Sequence, residues 1–391
     1  MKILTFTTLF PNSVKSHHGI FTQTSLNDIL RTGEVEAVVV APVPWFPFKS
    51  PRFGSYSIFA RVPREEMRIG ARVLHPRYFL PPKVGMNVAP WLMANAAKRL
   101  IQKVIDDGFN FDVIDAHYFY PDGVAAAILG KHFRKPVVIS ALGTDVNLIS
   151  QFAVPRKMMM WASRQASSIV TVREALKTEL VNIGVDGRKI ATLRNGVDLE
   201  LFRPVDREAT RARLGIGGFA LLSVGNLVAI KGHDRIIESL SALPGTRLLI
   251  AGSGPDEEAL KKLVRTNGME DRVRFLGPLP QETLREYYGA ADALVLASSR
   301  EGWANVLLEA MACGTPVVAS RVGGTPEVVT SPAAGVLMPS NTPEGIAQAV
   351  RALQADYPAA GTTRAYAEQF SWADTTRRKI KLFEEAKASV R

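Results

Sequence analysis

The chain reads as an α/β protein of two domains, each a parallel sheet covered by helices on both faces. Three observations carry that reading. Strand-like and helix-like segments alternate from end to end, the pattern of parallel strands joined by crossover helices. A length of 391 residues is too great for one ordinary domain and suits two of the usual size. Hydrophobic residues make up 47% and charged residues 22%, enough to fill two cores, and no repeat of solenoid period is visible.

In the first half, short apolar runs predict strands over 3–6, 37–41, 113–116, 137–140 and 168–172. Helical patterns lie between and after them, over 21–32, 91–106, 123–132, 154–166 and 174–183. In the second half, strands are predicted over 220–224, 247–251, 273–276, 293–296 and 317–319. The matching helices cover 233–240, 257–267, 281–289, 306–313 and 342–355. The boundary falls near 195–205, where Asn195-Gly196 is a turn dipeptide and Pro204 stops continuation. Domains are therefore expected over 1–198 and 199–372, with 373–391 a charged, helical tail.

Composition excludes several classes. The lone cysteine, Cys313, sits in an apolar helix, so neither a disulfide framework nor a thiolate metal cluster is available. A cytoplasmic setting fits. The amino terminus reads as a first strand without the apolar core or cleavage site of a leader. The most apolar window, 37–48, is broken by three prolines and is too short to span a bilayer. Net charge is +11, and all of it belongs to residues 1–195, with 25 Lys and Arg against 14 Asp and Glu. An anionic partner is expected there. No nucleic-acid signature accompanies the charge, so an anionic membrane surface is the better candidate.

The most informative stretch is Glu301-Gly302-Trp303-Ala304-Asn305-Val306-Leu307-Leu308-Glu309. The apolar run from Val306 to Ala312 reads as a buried helix, and its start offers unpaired N–H groups and a favourable dipole to an anion. If the intervening residues are mostly helical, eight steps of ~1.5 Å set the carboxylates roughly 12 Å apart, the span of a nucleotide diphosphate-sugar. Two glutamates at this spacing also arise as solvated helix charges. The context favours a site, because 293–297 is a buried strand and ligands collect at the carboxyl ends of such strands.

The segment 298–327 continues through Ala310-Met311-Ala312-Cys313-Gly314-Thr315-Pro316-Val317-Val318-Ala319-Ser320 to Gly323-Gly324-Thr325-Pro326-Glu327. It resembles the donor site of retaining family 4 glycosyltransferases, two-domain GT-B enzymes that take a sugar from a nucleotide sugar. The likeness extends along most of the chain. It implies two Rossmann-like parallel-sheet domains facing across a cleft, and a last helix that crosses back to the first domain. On this resemblance Glu301 holds sugar hydroxyls and Glu309 the ribose. Gly302, Trp303, Ala304, Asn305 and Val306 line the diphosphate.

Lys231, in Gly225-Asn226-Leu227-Val228-Ala229-Ile230-Lys231-Gly232, follows a strand directly. By itself it reads as a solvated loop lysine; the resemblance makes it the cation on the diphosphate. Many family members carry Arg where Asn226 stands, and Arg300 beside Glu301 is a candidate substitute. His117 ends a strand, and the resemblance implies a histidine facing the sugar, orienting a hydroxyl or a backbone carbonyl. Gly19, after the first strand, would let backbone amides approach the diphosphate. Its neighbours His17 and His18 depart from the usual glycine-rich loop and either touch acceptor or phosphate or are solvated. Asp145 in Gly143-Thr144-Asp145 either orients acceptor or His117 or caps the next helix. Gly252-Ser253-Gly254-Pro255 lacks the third glycine of a dinucleotide fingerprint and reads as a tight turn near the nucleotide.

No cofactor is expected, the nucleotide-diphosphate sugar being a co-substrate. No metal is expected either, because no Asp-x-Asp triplet or His pair at ligand spacing occurs. The resemblance implies front-face transfer with retention, needing leaving-group stabilisation more than a protein base. The acceptor is a glycan or lipid-linked hydroxyl, in a subfamily closest to bacterial exopolysaccharide or teichuronic-acid enzymes. Trp45-Phe46-Pro47-Phe48-Lys49, the arginines at 52, 61, 64, 68 and 72, and Tyr78-Phe79-Leu80-Pro81-Pro82-Lys83 suit either a membrane-surface loop or a solvated loop over the cleft. The protein would then sit in the cytoplasm or on the inner face of the plasma membrane. A nucleotide-sugar 2-epimerase of the same fold and a non-catalytic nucleotide-sugar sensor are the alternatives.

Overall fold

A computed structural model describes residues 1–16, 18–50, 52, 55–81 and 85–389. The chain forms two compact units, Met1–Arg194 with Ala373–Arg391, and Asn195–Trp372. His17, Pro82 and Lys83, singled out above, lie outside the described residues.

The strands of the first unit are β1 (Lys2–Phe6), β2 (Glu36–Val40), β3 (Val43–Pro44), β4 (Glu65–Arg68), β5 (Ala71–Leu74), β6 (Arg77–Tyr78), β7 (Val113–His117), β8 (Val137–Ala141), β9 (Ser168–Thr171) and β10 (Ile190–Thr192). Eight of them make one sheet in the order β10-β9-β8-β7-β1-β2-β5-β4. Its middle strands are apolar runs because helices cover both faces and leave no solvated side. Connections run outward from β1 through β2 to β5, then return across it to β7. The order therefore reverses between β1 and β7, and the loops leaving those two strands part there.

The edge departs from the all-parallel expectation. β4 pairs antiparallel with β5, with Met67 opposite Arg72. The turn is Ile69-Gly70, both at positive φ. A β-branched residue at φ +47 is a poor turn former, which is why the hairpin was hidden in the sequence. Much of the segment expected to be an irregular loop is folded here. Arg72 pairs with Glu65 at 2.6 Å and with Asp107 at 3.5 Å. Arg68 reaches Gln23 at 3.1 Å, and Arg77 donates to the carbonyls of Phe59 and Val62. Two of the arginines expected on a membrane-surface or solvated loop, Arg68 and Arg72, thus lie in the β4–β5 hairpin and make these contacts at the sheet edge.

The last helix, Trp372–Ala388, completes this unit. It lays Ile380, Phe383 and Ala386 into the core beside Ile3, Phe10, Leu26 and Val113, at the i, i+3 spacing of one helical face. Thr376 donates to Asp28 at 2.7 Å, Thr375 to the Arg194 carbonyl at 2.7 Å, and Lys387 pairs with Asp112 at 3.1 Å.

The second unit has β11 (Phe219–Val224), β12 (Thr246–Ala251), β13 (Val273–Gly277), β14 (Ala293–Leu296), β15 (Val317–Ala319) and β16 (Gly335–Leu337). They form a parallel sheet in the order β13-β12-β11-β14-β15-β16. Connections run from β11 to β12 and β13, then cross back to β14, so the reversal here lies between β11 and β14. The two ends of this unit run side by side: Val197 donates its N–H to the Phe370 carbonyl at 2.9 Å and bridges Ser371. Gly196 allows it, since a Cβ there would strike the backbone of Ser371 and Trp372.

No described helix is long and apolar enough to cross a membrane. Replacing Phe383, fully buried between helix and sheet, with alanine should destabilise the protein by about 3–5 kcal/mol. Denaturant unfolding checks this, and a loss below 1 kcal/mol would show that the last helix is not part of the core.

Candidate functional site

In the second unit the loops leaving β11 and β14 meet at the reversal. The β11 loop passes Gly225 (φ +153) and Asn226, makes a tight turn over Ala229–Lys231, and enters the helix His233–Ser239 through Gly232 (φ +68). Gly232 cannot carry a Cβ, which would overlap the Ala297 carbonyl of the β14 loop. The loops are also joined by Ser299 N–H to the Ile230 carbonyl at 2.8 Å. Arg235 and Asn341 donate to the Ala297 carbonyl at 2.9 and 3.1 Å, fixing the β14 loop from below.

This scaffold brings Lys231 and Glu301 together. The ammonium lies 2.6 Å from Glu301 Oε1, and the Ser298 hydroxyl donates to the same oxygen at 2.6 Å. The lysine stem passes over Gly225 at van der Waals distance. Side-chain exposure is 25% for Lys231 and 10% for Glu301, so the pair is open to solvent on the lysine side. Glu301 is pinned by its backbone as well: Gly324 N–H donates to the Gly302 carbonyl at 3.0 Å. Gly323 (φ +54) passes so close to the Glu301 carbonyl that a Cβ would overlap it.

The helix beyond begins at Asn305 and runs to Ala312. No side chain caps its start, and its first turn carries no acid, so the leading N–H groups and the positive dipole end remain available to an anion. Gly302, Trp303 and Ala304 are therefore loop, and the estimate of 12 Å across a continuous helix does not apply. Trp303 is buried with its ring 6.4 Å from Phe370. Asn305 lies against Asn195 at 3.5 Å, and Val306 is half-buried. Glu309 Oε2 accepts from the Tyr288 hydroxyl at 2.8 Å, and burial pushes its carboxyl up to about 7. Asn226 and Arg300 are exposed.

His233 is a site residue that the sequence reading passed over as a helix start. It is buried, with Nδ1 3.0 Å from Ser223 Oγ and Nε2 3.3 Å from the Asn226 carbonyl. A carbonyl only accepts, so Nε2 carries the proton and Nδ1 accepts from the serine. Burial holds the ring pKa down to about 4, and the imidazole stays neutral while it grips the loop ahead of Lys231. The Gly252–Pro255 turn has a scaffolding use too. Gly252 and Gly254 lie against the carbonyls of Gly225 and Leu227, where a Cβ would overlap.

In the first unit the loops after β1, β7 and β8 are stitched by two buried carboxyls. Asp122 accepts from Thr8 N–H at 2.5 Å and Thr8 Oγ1 at 3.0 Å. Asp145 accepts from the N–H groups of Phe119 at 2.6 Å, Gly143 at 2.7 Å and Leu142 at 3.2 Å. Asp145 is thus a clasp on the backbone amides of these three residues, a role other than the two expected for it. Gly19 (φ +73) opens the helix Ile20–Arg31, and its missing Cβ is used by the chain itself, packing on the Leu9 carbonyl. His18 is exposed and bonds the Thr8 carbonyl through Nε2 at 3.1 Å. His117 ends β7 and is buried; its Nε2 lies 2.9 Å from Asp115 and 3.1 Å from Lys379 of the last helix. Tyr118 follows at φ +80, an unfavourable conformation held by its N–H to the Ser140 carbonyl at 2.9 Å.

Two family models match the chain: "Glycosyltransferase Family 4" over residues 30–201 and "Glycosyl transferases group 1" over residues 206–370. D-inositol 3-phosphate glycosyltransferase 1 of Catenulispora acidiphila is 30% identical over 356 residues, 83% of each chain. The D-inositol 3-phosphate glycosyltransferase of Mycobacteroides abscessus is 39% identical over 208 residues. That match takes in 50% of this chain and 47% of the relative, so it spans about half of each. These relatives are named for inositol 3-phosphate, in place of the exopolysaccharide or teichuronic-acid type expected from the sequence. Among solved structures, sucrose-phosphate synthase from Thermosynechococcus elongatus superposes with a TM-score of 0.76 at 20% identity over 99% of both chains. Anabaena Alr3699/HepE in complex with UDP gives 0.74 at 20% identity over 97% of this chain and 99% of that one. At such identity the likeness shows the fold, two Rossmann-like domains of GT-B type.

Two expectations test this geometry. Gly323→Ala should cost about 1–3 kcal/mol, because both its positive φ and the Glu301 carbonyl oppose a side chain; thermal and denaturant unfolding read it. Burial lifts Asp122 from 3.8 to about 8. The unfolded chain then binds fewer protons between those values, so this group's contribution to stability falls as pH rises from about 4 to about 8. Asp122→Asn should flatten that part of the stability–pH curve, and an unchanged slope would mean that Asp122 is not its source.

Proposed function

Because the chain belongs to the family 4, group 1 glycosyl transferases, we propose that it moves a sugar from a nucleotide-diphosphate sugar to a hydroxyl group, retaining anomeric configuration. The Lys231–Glu301 pair at the β11–β14 reversal carries the proposal. It places a cation and a hydrogen-bonding carboxylate side by side, close in sequence to an uncapped helix start. Lys231 meets the diphosphate, together with the amides at the start of the helix Asn305–Ala312. Glu301 then turns to sugar hydroxyls, and Glu309 takes the ribose. The sugar–phosphate bond opens first, and the acceptor oxygen attacks from the face the phosphate is leaving. A phosphate oxygen takes its proton. No metal step is needed in this scheme, since lysine and helix amides carry the leaving-group charge. UDP in the Anabaena structure supports a nucleotide diphosphate as the leaving group.

The acceptor is proposed to be an inositol phosphate or a similar phosphorylated polyol. Support comes from the names of the relatives and from charge. The first unit holds 31 Lys and Arg against 17 Asp and Glu, while the second holds 17 against 20. A lipid-linked acceptor at the inner membrane face is the second reading. It is favoured by large apolar side chains left exposed where β3 and β6 pair, Trp45, Phe48, Phe79 and Leu80.

A panel of UDP-, GDP- and ADP-sugars, scored by thermal shift and nucleotide release with and without inositol phosphate, tests the proposal. One donor should stabilise the protein and be consumed. Lys231→Ala should lower turnover by roughly 10²–10³-fold, the scale of a lost oxyanion-type donor. Glu309→Ala should weaken donor binding by about 1–3 kcal/mol. Binding without turnover on any acceptor would point to the sensor, and no stabilisation by any donor would remove the site.

A further inference from the structure

The cluster at the end of β7 joins residues from opposite ends of the sequence. Asp115 and His117 alternate on one strand, so their side chains leave the same face, and Lys379 reaches them from the last helix. Asp115 is fully buried, and His117 and Lys379 are each 4% exposed. Lys379 Nζ stands 3.0 Å from Asp115 Oδ2 and 3.1 Å from His117 Nε2, and those two atoms are 2.9 Å apart. The lysine is held there by its helix, through Thr376 to Asp28 and through Ile380 and Phe383 in the core.

Hydrogen-bond capacity decides where the imidazole proton lies. An ammonium only donates, an ionised carboxylate only accepts, and a neutral imidazole has one nitrogen of each kind. A proton on Nε2 would go to Asp115 Oδ2 and leave the ammonium without its bond to the ring at 3.1 Å. With Nε2 unprotonated, a single ammonium bridges both acceptors. We infer that Lys379 is a positioning residue that fixes His117 as the neutral, Nδ1-protonated tautomer, so that Nδ1, which takes no part in the cluster, is a hydrogen-bond donor. Burial lowers the pKa of the ring and Lys379 lowers it further, while Asp115 opposes them.

This inference rests on the reading of His117 as the residue that faces the sugar. A donor at that place suits a sugar hydroxyl oxygen or a carbonyl oxygen, and an Nε2–H tautomer would offer an acceptor instead. The last helix thereby acts on the site through its contact with the ring, without itself touching substrate.

The test is the nitrogen-15 spectrum of histidine-labelled full-length protein at pH 7, with the His117 signals identified by their loss in His117→Gln. The expected result is a pyridine-like, unprotonated Nε2 and a protonated Nδ1 in the wild type. Lys379→Met should reverse them, Nε2–H then donating to Asp115. A protonated Nε2 in the wild type overturns the assignment, whether or not the variant folds. An unprotonated Nε2 retained in folded Lys379→Met overturns the role of the lysine. Sugar-nucleotide turnover is read separately. The expected tautomer in a protein that consumes no donor would leave this assignment standing and count against the transferase.

Discussion

A lysine ammonium and a glutamate carboxylate at 2.6 Å tie together the loops that leave β11 and β14, and much of the second unit can be understood as what makes that contact repeatable. The loops part because the strand order reverses between their strands. Backbone must therefore close the gap on either side of the pair. It does so at Gly232 and Gly323, where carbonyls of the neighbouring loop occupy the space of a side chain. A salt bridge on flexible loops would contribute little. Mounted on glycine-to-carbonyl contacts, it becomes a fixed arrangement.

The first unit solves the matching problem with different chemistry. Its loops are stitched by buried carboxyls that accept backbone N–H bonds. Asp122 reaches across to the β1 loop, and Asp145 clasps the β7 and β8 loops. Unpaired, such groups would be costly to bury; here their hydrogen bonds go to amides that otherwise have no partner in a turn. Around His117 the contacts converge on single atoms, Asp115 Oδ2, Lys379 Nζ and the ring Nε2, away from water, and Asp115 Oδ1 is left without a partner among the described residues.

Legibility in the sequence followed the range of the interaction. Strands β11, β14 and β15 and the loop chemistry between them are written in consecutive residues, and there the reading located Lys231, Glu301 and the helix after them. The helix start is legible to within one residue, with Gly302 in the turn before it, but nothing local shows that Gly323 and Gly324 hold that turn open. The β4–β5 hairpin was missed because Ile69 occupies a position where a turn normally shows Asn or Gly. Around His117, the return of the last helix is implied by the resemblance, but nothing local marks Lys379, 262 residues away, as the cation that meets the ring. His233 was visible, but its burial under the Asn226 carbonyl was not.

The contribution of Ile380, Phe383 and Ala386 to the first core also sets an order of events on the ribosome. Everything else in that core is synthesised before residue 195, and the helix that closes it emerges last, after the whole second unit. The unit that is born first is thus finished second. Until its closing helix arrives it must wait with an open apolar groove, while the intervening unit already has a complete sheet of its own.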